Sequence, residues 1–209
     1  MARKLRAEQT RATIVKAAAE LFDRHGYESA SLRDIVTRAN VTKGAMYFHF
    51  ATKEDLAHAV MDLQHNCLSR ALADIDRSGY SSLEALIRGT FEMAGQTGRC
   101  SVARAGLRLA MSGVALSRPL PDPVDDWMEN VAERLAAARR EADLDADVEV
   151  ESAARALVYF LVGSRAAGSA SGSAHEMGRE VAEMWRFMIR ATVPEIHRRR
   201  YLELVAALE

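Results

Sequence analysis

The feature that most limits how this chain can fold is the stretch from Ser31 to Lys53, which holds two short helical patterns separated by a sharp turn. The first pattern has apolar residues at the spacing of one helix face, namely Leu32, Ile35, Val36 and Ala39. Ser31 is a predicted N-cap, with Asp34 in capping-box register. Asn40 tolerates the left-handed backbone that a tight turn requires. The sequence therefore predicts a helix over about 32–39 that ends abruptly.

The second pattern starts after Thr42, a predicted N-cap, and runs to about Phe50. It is too short and too polar for a core helix, and it carries side chains that suit a groove lined with phosphates, namely Lys43, Tyr47 and His49, beside Gly44. A helix, a turn and a second, exposed helix make a helix-turn-helix. DNA binding is therefore the first functional hypothesis.

Composition and charge agree with a DNA-binding protein without proving one. The chain has 209 residues, 49% of them hydrophobic, and a net charge of -1. Residues 1–50 hold nine Lys and Arg against five Asp and Glu, so the basic excess coincides with the helix-turn-helix. No apolar run is long enough to span a membrane, and the N-terminus lacks the apolar core of a secretory signal. Two unpaired cysteines fit a reducing cytoplasm, where we expect the protein.

The remaining sequence has helical rather than alternating periodicity, so we predict an all-α protein. A first helix is expected over about 7–25, and the helix-turn-helix domain over residues 1–51. Residues 52–209 should form a larger helical domain for ligand binding and dimerisation. Its predicted helices cover about 53–77, 82–96, 102–111, 123–142, 148–168 and 176–193, followed by a short tail helix. A proline-rich segment at 119–123 and a Gly/Ser/Ala stretch at 168–174 are the predicted connections.

An enzymatic role finds little support. The six histidines have no metal-ligand spacing, and the chain lacks a nucleophile elbow, a phosphate-binding glycine loop and a dinucleotide fingerprint. We therefore predict a protein that is not an enzyme and that needs neither a metal nor a cofactor.

The N-terminal region resembles the TetR family of bacterial transcriptional repressors. The resemblance rests on Gly26-Tyr27, on the run 31–35, on VTKGAMYFHF at 41–50 and on KEDL at 53–56. More narrowly, the chain is similar to the gamma-butyrolactone (autoregulator) receptor branch, through segments such as GYSSLEAL and RAGLRLA and the region of Trp127. This resemblance implies a repressor that binds a palindromic operator as a homodimer. A small lactone- or furan-like molecule would then release it from double-stranded DNA.

The DNA-contacting residues follow partly from chemistry and partly from this resemblance. Thr42 and Lys43 lie at a helix N-terminus, which favours a phosphate, and Gly44 lets the helix approach the DNA backbone closely. The resemblance implies phosphate contacts for Tyr47, His49 and Lys53, and a contact of Phe48 with sugar or a thymine methyl. Arg33 could reach a base edge, and a basic N-terminal arm (Arg3, Lys4 and Arg6) could touch the backbone together with Thr10 and Arg11. The predicted DNA-binding set is Arg33, Thr42, Lys43, Gly44, Tyr47, Phe48, His49 and Lys53.

The C-terminal region carries two further predictions. Small and apolar residues of the helix at 148–168, together with Val181, Met184, Trp185, Met188 and Ile189 of the next helix, are expected to form a dimer interface. The predicted ligand-binding residues are Gln64, Leu68, Leu83, Ile87, Phe91, Leu109, Trp127, Val131, Phe160 and Ser164. The resemblance implies that Trp127 lines the pocket, and Gln64 and Ser164 could bond a polar ligand head. Because a pocket and a packed core use the same apolar side chains, a DNA-binding regulator without a small-molecule ligand stays an open alternative.

Overall fold

The computed structural model describes residues 2–114, 116–118, 123–168 and 174–209. These residues form helices and connections without a strand, which confirms the all-α prediction. The helices are α1 (Ala2–His25), α2 (Leu32–Ala39), α3 (Lys43–His49), α4 (Lys53–Arg77), α5 (Ser82–Arg99), α6 (Ser101–Met111), α7 (Pro123–Arg140), α8 (Val150–Gly168), α9 (Ala174–Thr192) and α10 (Glu195–Leu208). Of the predicted connections at 119–123 and 168–174, residues 119–122 and 169–173 lie outside the described residues. No helix in the described part of the chain is both long and apolar enough to cross a membrane.

The turn of the helix-turn-helix forms as its residues predict. The Ser31 hydroxyl accepts the Asp34 N–H at 3.2 Å and donates to the Asp34 carboxylate at 2.6 Å. Asn40 ends α2 in the left-handed region, at φ 53° and ψ 47°. The N–H groups of Asn40 and Val41 then return to the carbonyls of Thr37 and Val36. This Schellman-type ending satisfies the last carbonyls of α2 and turns the chain sharply toward α3.

Side-chain caps also fix the ends of α3 and α4. The Thr42 hydroxyl accepts the Ala45 N–H at 3.1 Å. Thr52 and Asp55 form a reciprocal capping box, in which each side chain accepts the other residue's backbone N–H, at 3.0 and 2.9 Å. The predicted Thr42 cap is confirmed. The two caps leave only Phe50, Ala51 and Thr52 between α3 and α4.

The described residues of 1–68 and 100–121 form one compact unit. Its core is built from side chains of α1 through α4 and α6, including Ile14, Phe22, Ile35, Met46, Phe50, Leu56, Val60 and Leu109. Residues of α6 belong here because α6 packs along α1. Arg104 binds the Asp23 carboxylate at 2.9 Å, and Arg108 donates to the Asp23 carbonyl at 2.5 Å. The predicted functional boundary at residue 51 stays a prediction, since packing and function need not divide a chain at one point.

Residues 69–99 and the described residues of 122–209 form a second compact unit. In it α5 packs against α9 and α7, and α7 packs against α8. Leu83, Ile87, Leu135, Leu157, Trp185 and Ile189 are among its fully buried side chains. The buried Trp185 indole donates to the Thr90 hydroxyl at 2.7 Å, and that hydroxyl donates to the Ile87 carbonyl at 2.7 Å. This chain of bonds satisfies the polar atoms that the apolar core would otherwise leave unpaired.

Two sequence predictions are wrong, one about the start of α1 and one about the apolar side chains of α9. The expected N-terminal arm is helical, because α1 begins at Ala2 rather than near Ala7; Lys4 and Arg6 are exposed on it, and the Arg3 side chain lies outside the described residues. The apolar side chains of α9 assigned to a dimer interface are buried in the core of the second unit instead: Val181, Met184, Trp185, Met188 and Ile189. The aromatic residue that α9 exposes is Phe187, with 71% of its surface accessible.

Candidate nucleic-acid interface

The α3 surface, which consists of Lys43, Gly44, Tyr47, Phe48 and His49, projects polar and aromatic groups away from the core. Phe48 is 79% exposed and Tyr47 57% exposed, whereas Met46 on the opposite side of the helix is fully buried. The His49 ring is half-buried and meets the Phe48 ring edge-on, with centroids 5.0 Å apart. Two large exposed aromatic side chains on a helix of 7 residues are unfavourable for an isolated protein. They therefore indicate a partner surface.

Gly44 has no structural reason to be glycine within the unit. It is exposed, and a Cβ built on it would find its nearest atom at the Thr42 hydroxyl, 3.9 Å away. Its backbone has no positive φ, so an alanine would meet neither a clash nor strain there. A helical glycine without such a reason costs stability relative to alanine. The open space at Gly44 therefore suits the approach of something outside the protein.

Lys53 is placed differently from the other predicted DNA-binding residues. Its ammonium donates to the carbonyls of Tyr27 and Glu28, at 2.9 and 3.0 Å, and lies 4.4 Å from the centre of the Tyr27 ring. An ammonium has three N–H donors, so one stays available for a phosphate. Lys53 thus ties α4 to the loop before α2. The contact between Lys53 and Tyr27 could not be predicted from a local sequence pattern, because the two residues are 26 positions apart.

The other predicted DNA-binding residues are exposed on α2 and at the start of α3. Arg33 lies on the exposed side of α2, and Thr42 is exposed although its hydroxyl caps α3. The Arg11 guanidinium of α1 lies 5.1 Å from the centre of the Phe50 ring, just beyond the end of α3. This contact places a cation next to the α3 surface, and Arg11 joins the candidate set. No group of three or more His, Cys, Asp or Glu residues among the described positions could hold a metal ion.

The predicted ligand-binding residues are divided between the two units. In the first unit, Leu68 and Leu109 are buried, and Gln64 is half-buried against α6, where a Cβ on Gly106 would lie 3.0 Å from its side chain. In the second unit, Leu83, Ile87 and Val131 are buried in the core, with Phe91 and Trp127 partly buried against it. The Ser164 hydroxyl donates to the Leu161 carbonyl at 3.3 Å. Phe160 is 38% exposed and is therefore not a core-facing residue like Leu83 and Ile87, and its role in ligand binding stays a prediction.

A cleft of about 390 Å³ opens on the second unit between the end of α4, α5 and the end of α10. Phe91 lines it together with Ile75, Tyr80, Arg88 and Leu208. The lining does not include Trp127, so this cleft is not the pocket expected around that residue.

Comparison with known proteins assigns the family. The model for bacterial regulatory proteins of the tetR family matches residues 14–60, and the model for the tetracyclin repressor-like C-terminal domain matches residues 80–194, more than half of the chain. The chain belongs to the TetR family. The predicted family is therefore confirmed, and it is a family of regulatory proteins rather than of enzymes.

Individual relatives place this TetR-family chain close to gamma-butyrolactone receptors. A solved gamma-butyrolactone receptor (ArpA-like protein) is 51% identical, with a TM-score of 0.86, over 97% of this chain and 98% of that one. CprB from Streptomyces coelicolor, solved in complex with its biological operator sequence, is 51% identical with a TM-score of 0.87 over 98% of both chains. The A-factor receptor protein of Streptomyces griseus is 44% identical over 129 residues, 62% of this chain but only 44% of that protein.

Proposed function

We propose that this protein is a transcriptional repressor that binds a palindromic operator as a homodimer and is released by a small lactone- or furan-like molecule. One observation carries the proposal: along almost its whole length the chain is 51% identical to solved gamma-butyrolactone receptors, one of them bound to its operator. The relatives named for their ligand or their operator therefore align with both units of this chain. We place the protein in the cytoplasm, with the DNA that it regulates.

The DNA-binding half of the proposal is supported by the α3 surface. Phe48 and Tyr47 offer apolar and hydroxyl contacts to the sugar-phosphate backbone, and Lys43 offers an exposed positive charge. Gly44 leaves room for close approach. Arg33, on the preceding helix, is the strongest candidate for reading a base edge, because arginine donates two parallel hydrogen bonds to guanine in the major groove.

The homodimer is supported by exposed apolar residues on α8 and α9. Tyr159 is 60% exposed, Phe160 38% and Phe187 71%, and all three belong to the second unit. The small exposed residues Ala156 and Gly163 lie on the same helix as Tyr159 and allow a second helix to approach closely. A single short recognition helix reads few base pairs, so pairing two copies on a palindrome supplies the missing specificity.

The ligand half of the proposal is supported by Trp127, which is partly buried and packs against the core of the second unit. Because the indole is large and only partly buried, it can pack against an apolar ligand without a rearrangement of the core. We propose that Trp127 contacts the ligand and that Ile87 and Val131 contribute apolar surface. The ligand would release DNA only to the extent that it binds the DNA-free state more tightly than the bound state.

The decisive experiment selects bound sequences from random double-stranded DNA with the purified protein and then repeats the binding measurement with gamma-butyrolactones and furans. We expect a palindromic consensus, and loss of binding with one of these ligand classes. In the variant Trp127→Ala we expect operator binding to persist while release by that ligand is lost.

The outcomes separate the parts of the proposal. If no sequence is enriched, the DNA-binding function is wrong. If an operator is enriched but no lactone or furan releases the protein, the ligand half fails and the protein is a DNA-binding regulator controlled by other means. If Trp127→Ala is still released normally, the role of Trp127 is wrong while the function stands.

A further inference from the structure

The first turn of α4 holds three separate parts of the first unit together. Lys53 donates to the backbone carbonyls of Tyr27 and Glu28, just before α2. Glu54, the next residue, turns to a segment more than sixty positions away: its carboxylate accepts the Ser117 hydroxyl at 2.5 Å and the Arg118 N–H at 2.8 Å. Consecutive residues of one turn therefore bind the loop before α2 on one side and the segment after α6 on the other.

His58 extends the contact made by Glu54 by one helical turn. It is buried, with 7% of its surface accessible, and its Nε2 lies 3.1 Å from the Arg118 carbonyl oxygen and 3.3 Å from the Arg118 Nε. Nε2 can donate to the carbonyl or accept from the guanidinium, depending on the tautomer. The Glu54 carboxylate is 4.0 Å from the same nitrogen. Arg118 is thus held against α4 by Glu54 through its backbone N–H and by His58 through either its carbonyl or its guanidinium, depending on the tautomer.

These bonds are not needed to form α4. The reciprocal capping box of Thr52 and Asp55 already caps the start of the helix, by satisfying the N–H groups of these two residues. Glu54 is therefore free to bind residues 117 and 118, and its two hydrogen bonds, first that from the Ser117 hydroxyl, lower its pKa below the ordinary value. Hydrogen bonds to a charged carboxylate are stronger than those between neutral groups.

We propose that Glu54 and His58 are positioning residues for DNA binding, because they latch residues 116–118 onto the first two turns of α4 and so fix α3. The inference rests on the proposed function. Phe50 at the end of α3 and Leu56 in the first turn of α4 are buried in one core with Met46. With only three residues between the two helices, a shift of that turn is transmitted to the α3 surface.

The test compares Glu54→Ala with Asp62→Ala, an exposed aspartate on the same helix. Both variants remove one negative charge, so electrostatics alone predicts equal or tighter binding to DNA in each case. The latch predicts the opposite sign for Glu54→Ala, with operator affinity weaker by about tenfold. Asp62→Ala should stay within about twofold of the wild type. The dependence of affinity on salt should not change in either variant, because no phosphate contact is removed.

Hydrogen exchange at the Arg118 amide reports the latch itself. We expect protection in the wild type and in Asp62→Ala, and faster exchange in Glu54→Ala. If Glu54→Ala does not fold, Glu54→Gln, which keeps one acceptor oxygen, should show the same changes in smaller measure.

Three results would overturn the inference. Equal operator affinity of wild type and Glu54→Ala, with faster Arg118 exchange in the variant, would mean that the latch exists but does not position α3. Unchanged exchange would mean that the latch is not formed. A salt dependence lowered in Glu54→Ala would mean that phosphate contacts are lost rather than repositioned. Failure of the wild type to bind any selected DNA would instead refute the proposed function, and the exchange measurement would still test the latch.

Discussion

Two of the places where the described residues expose large aromatic side chains differ in their surroundings. On α3, Tyr47 and Phe48 stand beside Lys43, Gly44 and a half-buried His49. On α8 and α9, Tyr159 and Phe187 stand on helices of 19 residues each, near small residues such as Ala156 and Gly163. Exposure is similar in both places. The two places differ in their neighbouring residues. On α3, a cation and a glycine that leaves room for close approach lie on a short helix and suit nucleic acid. On α8 and α9, small residues on long helices suit the packing of another protein helix.

The largest effect should come from placing a charge at the proposed dimer surface. We expect Phe187→Glu to weaken the homodimer by about 30-fold or more, because burying an unpaired carboxylate in an interface removes a hot spot and adds a desolvation cost. Operator affinity should fall with it, since two recognition helices are needed. Sedimentation velocity measures the first quantity and DNA titration the second.

The control for that variant is Ile196→Glu. Ile196 is 84% exposed on α10, so the same change of chemistry is made at a site not proposed to pair. It should leave both the dimer and the operator affinity unchanged. If Phe187→Glu remains fully dimeric, or if Ile196→Glu dissociates equally, the assignment of the α8 and α9 aromatics to dimerisation is wrong.

A smaller effect is expected on the α3 surface, and it should depend on salt. Lys43→Met keeps the length of the side chain but removes its charge, so operator affinity should fall and the slope of log affinity against log salt should decrease by about 0.9. Phe48→Ala should lower affinity while leaving that slope unchanged, because it removes apolar contact alone.

Lys16→Met is the matched control for Lys43→Met. Lys16 is an exposed lysine of α1 in the same unit, lining a small cleft with Glu20 and Arg38. Its loss should change the salt slope much less. Equal slopes for Lys43→Met and the wild type would show that Lys43 does not contact a phosphate.

Local signals in the sequence predicted most of the helix-turn-helix. The caps at Ser31 and Thr42 and the left-handed Asn40 act over three or four residues, and their structure agrees with the prediction. The bounds of α4 also agree, because both ends are marked locally, by Thr52 and by Ser78-Gly79. Capping interactions that lie within one turn of a helix can be deduced without knowing the tertiary structure.

Contacts between distant residues could not be predicted in this way. The partners of Lys53 and Glu54 lie 26 and 63 positions away, so no local pattern links them. The incorrect assignment of the apolar face of α9 to the dimer interface has a different cause. The sequence does show the apolar stripe, but a stripe does not reveal whether it packs against the same chain or against a second copy. Phe187 lies off that stripe, and an apolar residue off the buried face was the available signal for a partner.

The smallest expected effect separates folding from function at Gly44. In Gly44→Ala the nearest described side chain to the added methyl is the Thr42 hydroxyl, 3.9 Å away, so the free protein should be stabilised, by up to about 1 kcal/mol, through the better helix propensity of alanine. Operator affinity should nevertheless fall, because the methyl occupies the space that the DNA backbone needs. Gly178→Ala, in α9, is the control: a Cβ there also meets none of the described residues within 4 Å, so it should stabilise without affecting DNA binding. Thermal unfolding and DNA titration of both variants give the comparison. If Gly44→Ala binds the operator as tightly as Gly178→Ala does, then α3 does not approach the DNA backbone at Gly44, and the exposed aromatics of α3 need another explanation.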